Sequence, residues 1–588
     1  TLNDLVESVY LLLPLSLFLA LSAHGGAWRR SLLAAGVWTM VAGMLFVAAS
    51  EYFFFEEFAS RFNLVAVDYL IYPTEVIGDI RDEYPVGPLL AAIAIIAAVA
   101  TRLLWPYLQS HLQATPSRAH RLATLAAHAS LAAAITALWT TDALALSGNR
   151  AANELTANGP ARFFAALASN HIDYPAFYRT VDAQTAIERL TADLGRGGGH
   201  FVDPAGADLT RRFDANPAGL GRLNVVVLVE ESFGAGFVGA YGDTRGLTPE
   251  FDRLAREGLL FTRAYATGTR TVRGLEAVSA SLPPIPSESI VKRPHNEDIA
   301  TWGKVMNRLG YRSSFLYGGY GAFDNMNHYF GSNGFAILDR AQMPKPQFAN
   351  VWGMSDEDLL RNAVEYFDAQ ARQDAPFFAV VMSTSNHKPF TFPDGVDGVP
   401  ARGGGRSAGV RYADHAIGEF MRAAKQRPWF RGTLFVLVAD HDARVYGRTE
   451  IPLNTYEIPL LLYAPAHLAP GRVDTPTSQI DVAPTVLGLL GLAYEAPFFG
   501  QDVLAWPKDA PRTLLFNHNH DVAALSGDRL CILGLRKTAK CQHYERLPGP
   551  PSGQTTQLSE VPDDPALIEL AVAYYQTAYE QFTQRRYR

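Results

Sequence analysis

The first quarter of this 588-residue chain holds four apolar runs, about Leu5–Leu21, Leu32–Ser50, Leu89–Trp105 and Leu122–Leu146. Each is close to the roughly 20 residues needed to cross a bilayer, although Arg102 intrudes on the third. Buried core helices are the competing reading, and four runs with so few internal charges weigh against it. The loops between the runs differ in charge. Arg29 and Arg30 lie between the first and second, and Arg102, Arg118 and Arg121 between the third and fourth, in both cases without an acid. Between the second and third lie eight acids, from Glu51 to Glu83, against Arg61 and Arg81. Basic loops stay cytoplasmic, so the acidic loop and everything after the fourth run are expected outside. The chain opens on Thr1 rather than Met, which predicts a cleaved segment or a fifth span upstream.

This transmembrane portion, 1–150, is one expected domain, and residues 151–221 are expected to form a linker of juxtamembrane helices. From 222 the pattern changes to alternating strand and helix. Strands are predicted at Asn224–Val229, Ser313–Tyr317, Phe377–Ser383, Leu434–Ala439, Leu460–Tyr463 and Thr513–Phe516. Helices are predicted at Thr248–Glu257, Asp356–Gln370 and Val410–Ala424, which makes 222–510 an α/β domain with a mainly parallel sheet. Residues 511–588 complete it, with a terminal helix at Pro565–Arg586. The aromatic, acidic segment 51–86 suggests a helix at the outer membrane surface. Cys531 and Cys541, the only cysteines, are expected to bond across a hairpin. A net charge of −7 spread over this length offers no basic face for nucleic acid.

Three short strings carry residue types that bind a metal. Val227-Leu-Val-Glu-Glu-Ser232 and Val436-Leu-Val-Ala-Asp-His-Asp442 are apolar strands that break into ligands at their carboxyl ends. Of Glu230 and Glu231, only one can face the site if the strand continues, because alternate side chains point to opposite faces. Thr267-Gly-Thr-Arg-Thr-Val-Arg-Gly274 supplies hydroxyls, with Thr271 the candidate nucleophile and Thr269 its competitor. A threonine hydroxyl needs a base or a metal to act at neutral pH. Arg270 and Arg273 could grip a phosphate. His387, in Ser385-Asn-His-Lys-Pro-Phe390, could donate to phosphate or to a leaving alcohol. Carboxylate and imidazole donors together suit Mn, Zn or Mg.

These strings occur in order with Leu247-Thr-Pro-Glu-Phe-Asp-Arg-Leu-Ala-Arg-Glu-Gly258 and Gln479-Ile-Asp-Val-Ala-Pro-Thr-Val-Leu-Gly-Leu-Leu490. Over about 222–505 the chain resembles the alkaline phosphatase/sulfatase superfamily, and within it the lipoteichoic acid synthase-like phosphoglycerol transferases. The resemblance implies a multi-pass protein of the bacterial inner (cytoplasmic) membrane with an extracytoplasmic sulfatase-like domain. It implies one divalent metal, Mn foremost, on Glu231, Thr271, Asp440 and His441, and a substrate-binding histidine at His387. The implied reaction moves phosphoglycerol from phosphatidylglycerol to Thr271, then to an acceptor, either a periplasmic glucan or a glycerol-phosphate polymer. One departure stands out. Where the polymerases of the family carry Phe-Trp-Asn-Arg, this chain reads Gly321-Ala-Phe-Asp-Asn-Met-Asn327. That leaves Phe323, Asp324 and Asn325 as candidates, shifts the phosphate contact toward Arg273, and favours an acceptor other than a growing polymer.

Two enzymatic rivals and one silent reading remain. A sulfatase needs a Cys or Ser in Cys/Ser-x-Pro-x-Arg, and Thr271-Val-Arg-Gly-Leu275 has neither that residue nor the Pro. A phosphoethanolamine transferase acting on lipid A or another envelope glycan shares the Thr and the anchor, but resembles a cysteine-rich pattern. A membrane scaffold that kept the fold without activity would have no reason to retain every ligand in order.

Overall fold

Helices of the N-terminal unit follow the apolar runs, since a helix satisfies its own backbone polar groups where water is absent. The computed structural model describes residues 2–22, 26–58, 60–71, 73–112, 116–138, 153, 156–168, 172–203, 208–443, 449–507, 510–546 and 557–588. It divides into two units, Thr1–Asn170 and His171–Arg588. In the first, Asn3–Leu21, Ala27–Glu56 and Val86–Gln109 are helical, long enough and apolar enough to cross a membrane. The fourth run begins inside the helix Arg118–Leu138, and its last residues, 139–146, lie outside the described residues. Helix Leu2–Leu21 packs along Arg118–Leu138, and Ala27–Phe58 along Val86–Leu112. Polar groups point between the first pair. His128 sits 2.6 Å from Ser16 Oγ through Nδ1 and 2.9 Å from the Val9 carbonyl through Nε2. Segment 51–86 is not one helix: Glu51–Phe58 prolongs Ala27–Phe58, and the short helices Leu64–Ile71 and Pro73–Glu83 follow.

The second unit is built on a nine-stranded sheet. Its strands in chain order are β1 Asn224–Glu230, β2 Leu259–Tyr265, β3 Arg312–Tyr317, β4 Ala336–Leu338, β5 Phe377–Met382, β6 Thr433–Ala439, β7 Glu457–Tyr463, β8 Gly471–Val473 and β9 Thr477–Ser478. They lie in the order β8-β2-β7-β6-β1-β5-β3-β4, with β9 beside β2. Every pairing is parallel except those of β7, which runs against both neighbours. β5, β6 and β7 are buried along their whole length and rich in Val, Leu, Ile and Phe, as strands covered on both faces must be. Helix Asp356–Gln370 covers the sheet on the composition expected of it. Ser355 caps its first turn by accepting the Asp358 amide at 3.2 Å, and three acids in that turn oppose the positive end of its dipole.

Two expectations need correction. The strand Thr513–His518 is not in the main sheet; it opens a separate five-stranded antiparallel sheet that runs to Gln557–Val561. In that sheet Cys531 and Cys541 are cross-strand partners and form the disulfide, and helix Pro565–Thr583 packs against its strands. Residues 172–221 are also no spacer. Helix Ala183–Leu194 packs on the C-terminal helix, and His200–Phe201 and Arg211–Phe213 form a small sheet with Tyr494–Ala496.

Arg211 explains the integration. Its side chain is fully buried, and its guanidinium donates to the carbonyls of Leu194, Gly198, Phe498 and Gly500 and to Gln501 Oε1. Five acceptors from two segments about 300 residues apart therefore converge on one cation, and each would cost about 1–3 kcal/mol if left buried and unmatched. Lysine cannot reproduce the planar fork. Arg211→Lys is expected to lower the stability of the unit by roughly 2–4 kcal/mol, seen as an earlier near-ultraviolet CD melt of the full chain in detergent. An unchanged melt would show that the fork contributes nothing.

Candidate active site

β1 ends at Glu230 and β6 at Ala439, and these residues are partners across a parallel pair. The Asp440 amide continues the ladder by donating to the Glu230 carbonyl at 3.1 Å. The two strand ends thus emerge side by side, one carrying Glu231 and the other Asp440-His441. Ser232 then takes a left-handed backbone, φ 50°, which costs a non-glycine residue about 1–2 kcal/mol. The turn repays this locally. The Ser232 amide donates to Asp440 Oδ1 and its hydroxyl to Glu231 Oε1, both at 2.7 Å. Glu231 is therefore the acid that joins the site. Glu230 stays buried outside the cluster, its carboxyl pushed up to about 8 by burial and by the nearby Asp356.

Glu231, Asp440 and His441 are all buried, and one ligand atom from each lies within 4.8 Å of the others. His441 Nδ1 is 2.8 Å from the Asp442 carbonyl, a hydrogen bond that assigns the ring proton to Nδ1 and leaves Nε2 bare. Nε2 then faces Asp440 Oδ2 at 3.3 Å, and that oxygen is buried with no hydrogen-bond partner. Two lone pairs pointed at each other are reconciled by a cation. The donor set of two carboxylates, one imidazole and a hydroxyl fits a divalent ion.

The electrostatics agree. Two like charges about 4 Å apart repel by roughly 4 kcal/mol at an effective dielectric of ~20, so the carboxylates compete. Burial, and then the charge of Glu231, drives the Asp440 carboxyl well above the carboxylate range. Burial also raises Glu231, but nearby positive charge and the Ser232 hydroxyl outweigh it and hold that carboxyl low. Burial pushes His441 down to about 4, which keeps its imidazole neutral and able to ligate.

Thr271 is the first residue of the helix Thr271–Ala280. Its hydroxyl donates to Glu231 Oε2 at 3.2 Å and also touches Asp440, so Thr271 rather than Thr269 meets the cluster. The positive end of the helix favours negative charge at that oxygen. Gly274 permits the approach, because a Cβ there would stand 2.3 Å from the Asp440 carbonyl oxygen. Arg270, immediately before Thr271, is close enough to lower His441 by its charge. The His387 ring packs against Trp352 at 4.2 Å between centroids, tilted by 48°, and Phe323 meets Trp352 edge-on at 5.3 Å.

Three expected substrate residues are engaged elsewhere. Arg273 is buried, and its guanidinium is bound to Glu276 and to the carbonyls of Ile285 and Ser287. It fastens the loop after the nucleophile helix and cannot also hold a phosphate. Asn325 donates to the Val291 carbonyl of the same loop at 2.9 Å, and Asp324 pairs with Lys292 at 3.6 Å. Sequence reasoning missed Trp352, Arg406, Ser232, Asn386 and Gln479. Gln479 binds the carbonyls of Ala439 and Asp440, each at 2.7 Å, and Asn386 those of Glu231 and Ser232. Asn386 and Gln479 were inside quoted strings, but only contact reveals that they brace the ligand-bearing turns.

Because Asp440 must lose a proton to ligate, ion and proton compete for one site. Affinity of the full chain for Mn2+ is expected to rise with pH, by at most about tenfold per unit. Asp440→Asn should weaken it by about 10²-fold or more. Titration calorimetry in two buffers of different ionisation enthalpy checks both, and a pH-independent affinity with no proton release would contradict the assignment.

Comparison with known proteins follows the same lines. Residues 223–492 match the Sulfatase family. Phosphoglycerol transferase I of Xanthomonas axonopodis pv. citri (strain 306) is 26% identical over 220 residues, 36% of this chain and 31% of that protein. The chain spans about a third of the length of the curated relatives it matches. Among solved structures, lipoteichoic acid synthase LtaP from Listeria monocytogenes aligns with a TM-score of 0.53 at 18% identity, over 68% of this chain and 98% of its own, a likeness of fold. A protein in the alkaline phosphatase superfamily from Vibrio parahaemolyticus aligns with a TM-score of 0.64 at 33% identity, over 70% of this chain and 98% of its own. With a relative so similar matched along almost its whole length, and strand ends that gather Glu231, Thr271, Asp440 and His441, the chain belongs to the alkaline phosphatase superfamily.

Proposed function

We propose that this chain is a membrane-anchored, metal-dependent phosphoglycerol transferase that moves phosphoglycerol from phosphatidylglycerol to an extracytoplasmic acceptor through a phosphothreonine ester at Thr271. The observation that carries the reading is the Thr271 hydroxyl, bonded to Glu231 at the rim of the buried Glu231–Asp440–His441 cluster and at the start of a helix. Relatives named phosphoglycerol transferase I support the transferred group. The loop charges support an inner-membrane protein whose second unit lies outside.

Glu231, Asp440, His441 and the Thr271 oxygen would hold the divalent ion, Mn first and Mg or Zn otherwise. When bound, the ion supplies Lewis-acid polarisation of the phosphoryl group and lowers the pKa of the Thr271 hydroxyl. The rest is chemistry of this chain's own residues. Thr271 Oγ attacks phosphorus, forming the Oγ–P bond as the P–O bond to diacylglycerol breaks. The hydroxyl proton points at Glu231 Oε2, and a proton must reach the departing diacylglycerol oxygen. We assign that donation to His387, whose ring packs against Trp352. An acceptor hydroxyl then attacks the phosphothreonine and Thr271 recovers its proton. Trp352 and Phe323 offer an aromatic wall in place of the Trp absent from 321–327. That wall, without an arginine in the same string, favours single transfer to a glycan over growth of a glycerol-phosphate polymer.

The test is intact mass of the full chain after incubation with phosphatidylglycerol and Mn2+ but no acceptor. The wild type is expected to gain one phosphoglycerol and release diacylglycerol. Thr271→Ala should gain nothing and lose on the order of 10³-fold or more in turnover. Diacylglycerol release without an adduct would remove the covalent step. An adduct only with phosphatidylethanolamine would replace the headgroup.

A further inference from the structure

Charge balance leaves a gap at the proposed centre. A dication balances the carboxylates of Glu231 and Asp440, and neutral His441 adds nothing. A phosphodiester donor therefore brings one negative charge with no partner among the ligands. Arg273 is committed to Glu276 and to loop carbonyls, so cations other than those of the nucleophile loop's interior must meet that charge.

We propose that the Arg406 guanidinium, presented at the start of the helix Gly405–Lys425 beside His387, grips a non-bridging phosphoryl oxygen of the donor; this rests on the phosphotransfer reading above. Arg406 Nη1 donates to the carbonyl of Asn386, the residue before His387. The guanidinium carbon lies 4.8 Å over the centre of the Phe390 ring, a cation–π contact. Asn386 in turn binds the carbonyls of Glu231 and Ser232 at 3.0 and 3.2 Å. A single residue therefore connects Arg406 to a ligand of the cluster.

The placement is costly for the helix alone. A cation in the first turn opposes the dipole of a 21-residue helix by about 0.3–1 kcal/mol, and acids or hydroxyls are the favoured residues there. A cost of this kind at a site usually reflects function. The helix is also seated closely. A Cβ at Gly409 would lie 2.4 Å from Asn386 Oδ1, so the glycine lets the first turns press onto the His387 loop and carry Arg406 to the site. With Arg270 on the nucleophile side, two guanidiniums would flank the phosphoryl group from separate elements.

The test compares the full chain in detergent with Arg406→Gln and Arg406→Lys. Calorimetry measures Mn2+ affinity, then inorganic phosphate affinity of the Mn2+-loaded protein, and steady-state assays give kcat and KM for phosphatidylglycerol in mixed micelles. Arg406→Gln is expected to weaken phosphate by at least about tenfold and lower kcat/KM by about 10²-fold, with Arg406→Lys recovering part of both. Mn2+ affinity should stay the same or tighten, since a positive neighbour is removed. The proposal is overturned if phosphate binds equally to wild type and Arg406→Gln, if wild type binds none, or if Mn2+ affinity falls in step with phosphate affinity. Arg406-dependent phosphate binding without turnover of phosphatidylglycerol would uphold Arg406 while removing the proposed donor.

Discussion

The site depends on one register. In the parallel pair of β1 and β6, Glu230 stands opposite Ala439, and the next residue on each strand is a candidate metal ligand. A slip of one residue would turn one of the two side chains to the other face. Burial of both strands on both faces protects against that slip, because Val225–Val229 and Leu434–Ala439 have no polar face to offer water. The core and the chemistry are thus specified by the same contacts. A carboxylate pair in the middle of a sheet edge is affordable only because the strands beneath it are so strongly apolar.

The cluster these ends create is unfavourable by itself. Two buried carboxylates and a bare imidazole nitrogen face one another, and part of their partnering is left open at Asp440 Oδ2. The surroundings hold this arrangement without neutralising it. Gln479 and Asn386 bind carbonyls of the ligand-bearing turns, Ser232 bonds both carboxylates, and Gly274 brings the nucleophile helix against Asp440. Arg273 and Glu276 tie that helix to the loop 285–289, through Ile285, Ser287 and Ser289. This is the expected form of a preorganised centre, in which rigid outer contacts maintain ligands that repel each other until a cation arrives.

Around the cluster, residues from separate parts of the chain come together. The string 321–327 lacks the Trp and the Arg sought there. Trp352, from a loop before the helix Asp356–Gln370, lies between Phe323 and His387, and Arg406 comes from a different helix start again. Side chains of similar chemistry reach one space from distant parts of the chain, so a missing motif residue does not imply a missing interaction.

Much was determined by sequence alone. Apolar length marked three helices long and apolar enough to cross a membrane, and breaks at strand ends marked the cluster of Glu231 and Asp440-His441, because both are local patterns with a direct physical meaning. Five of the six expected strands entered the main sheet, and the cysteine pair was legible from spacing. Tertiary structure decided the rest. It chose Glu231 over Glu230 through a left-handed turn at Ser232, and Thr271 over Thr269 through the seating of a helix on Gly274. It committed Arg273 to the fold, set Thr513–His518 in a second sheet, and drew residues 172–221 into the second unit through Arg211. Each of these depends on which atoms meet across long separations, and a local pattern of residue types carries no record of that.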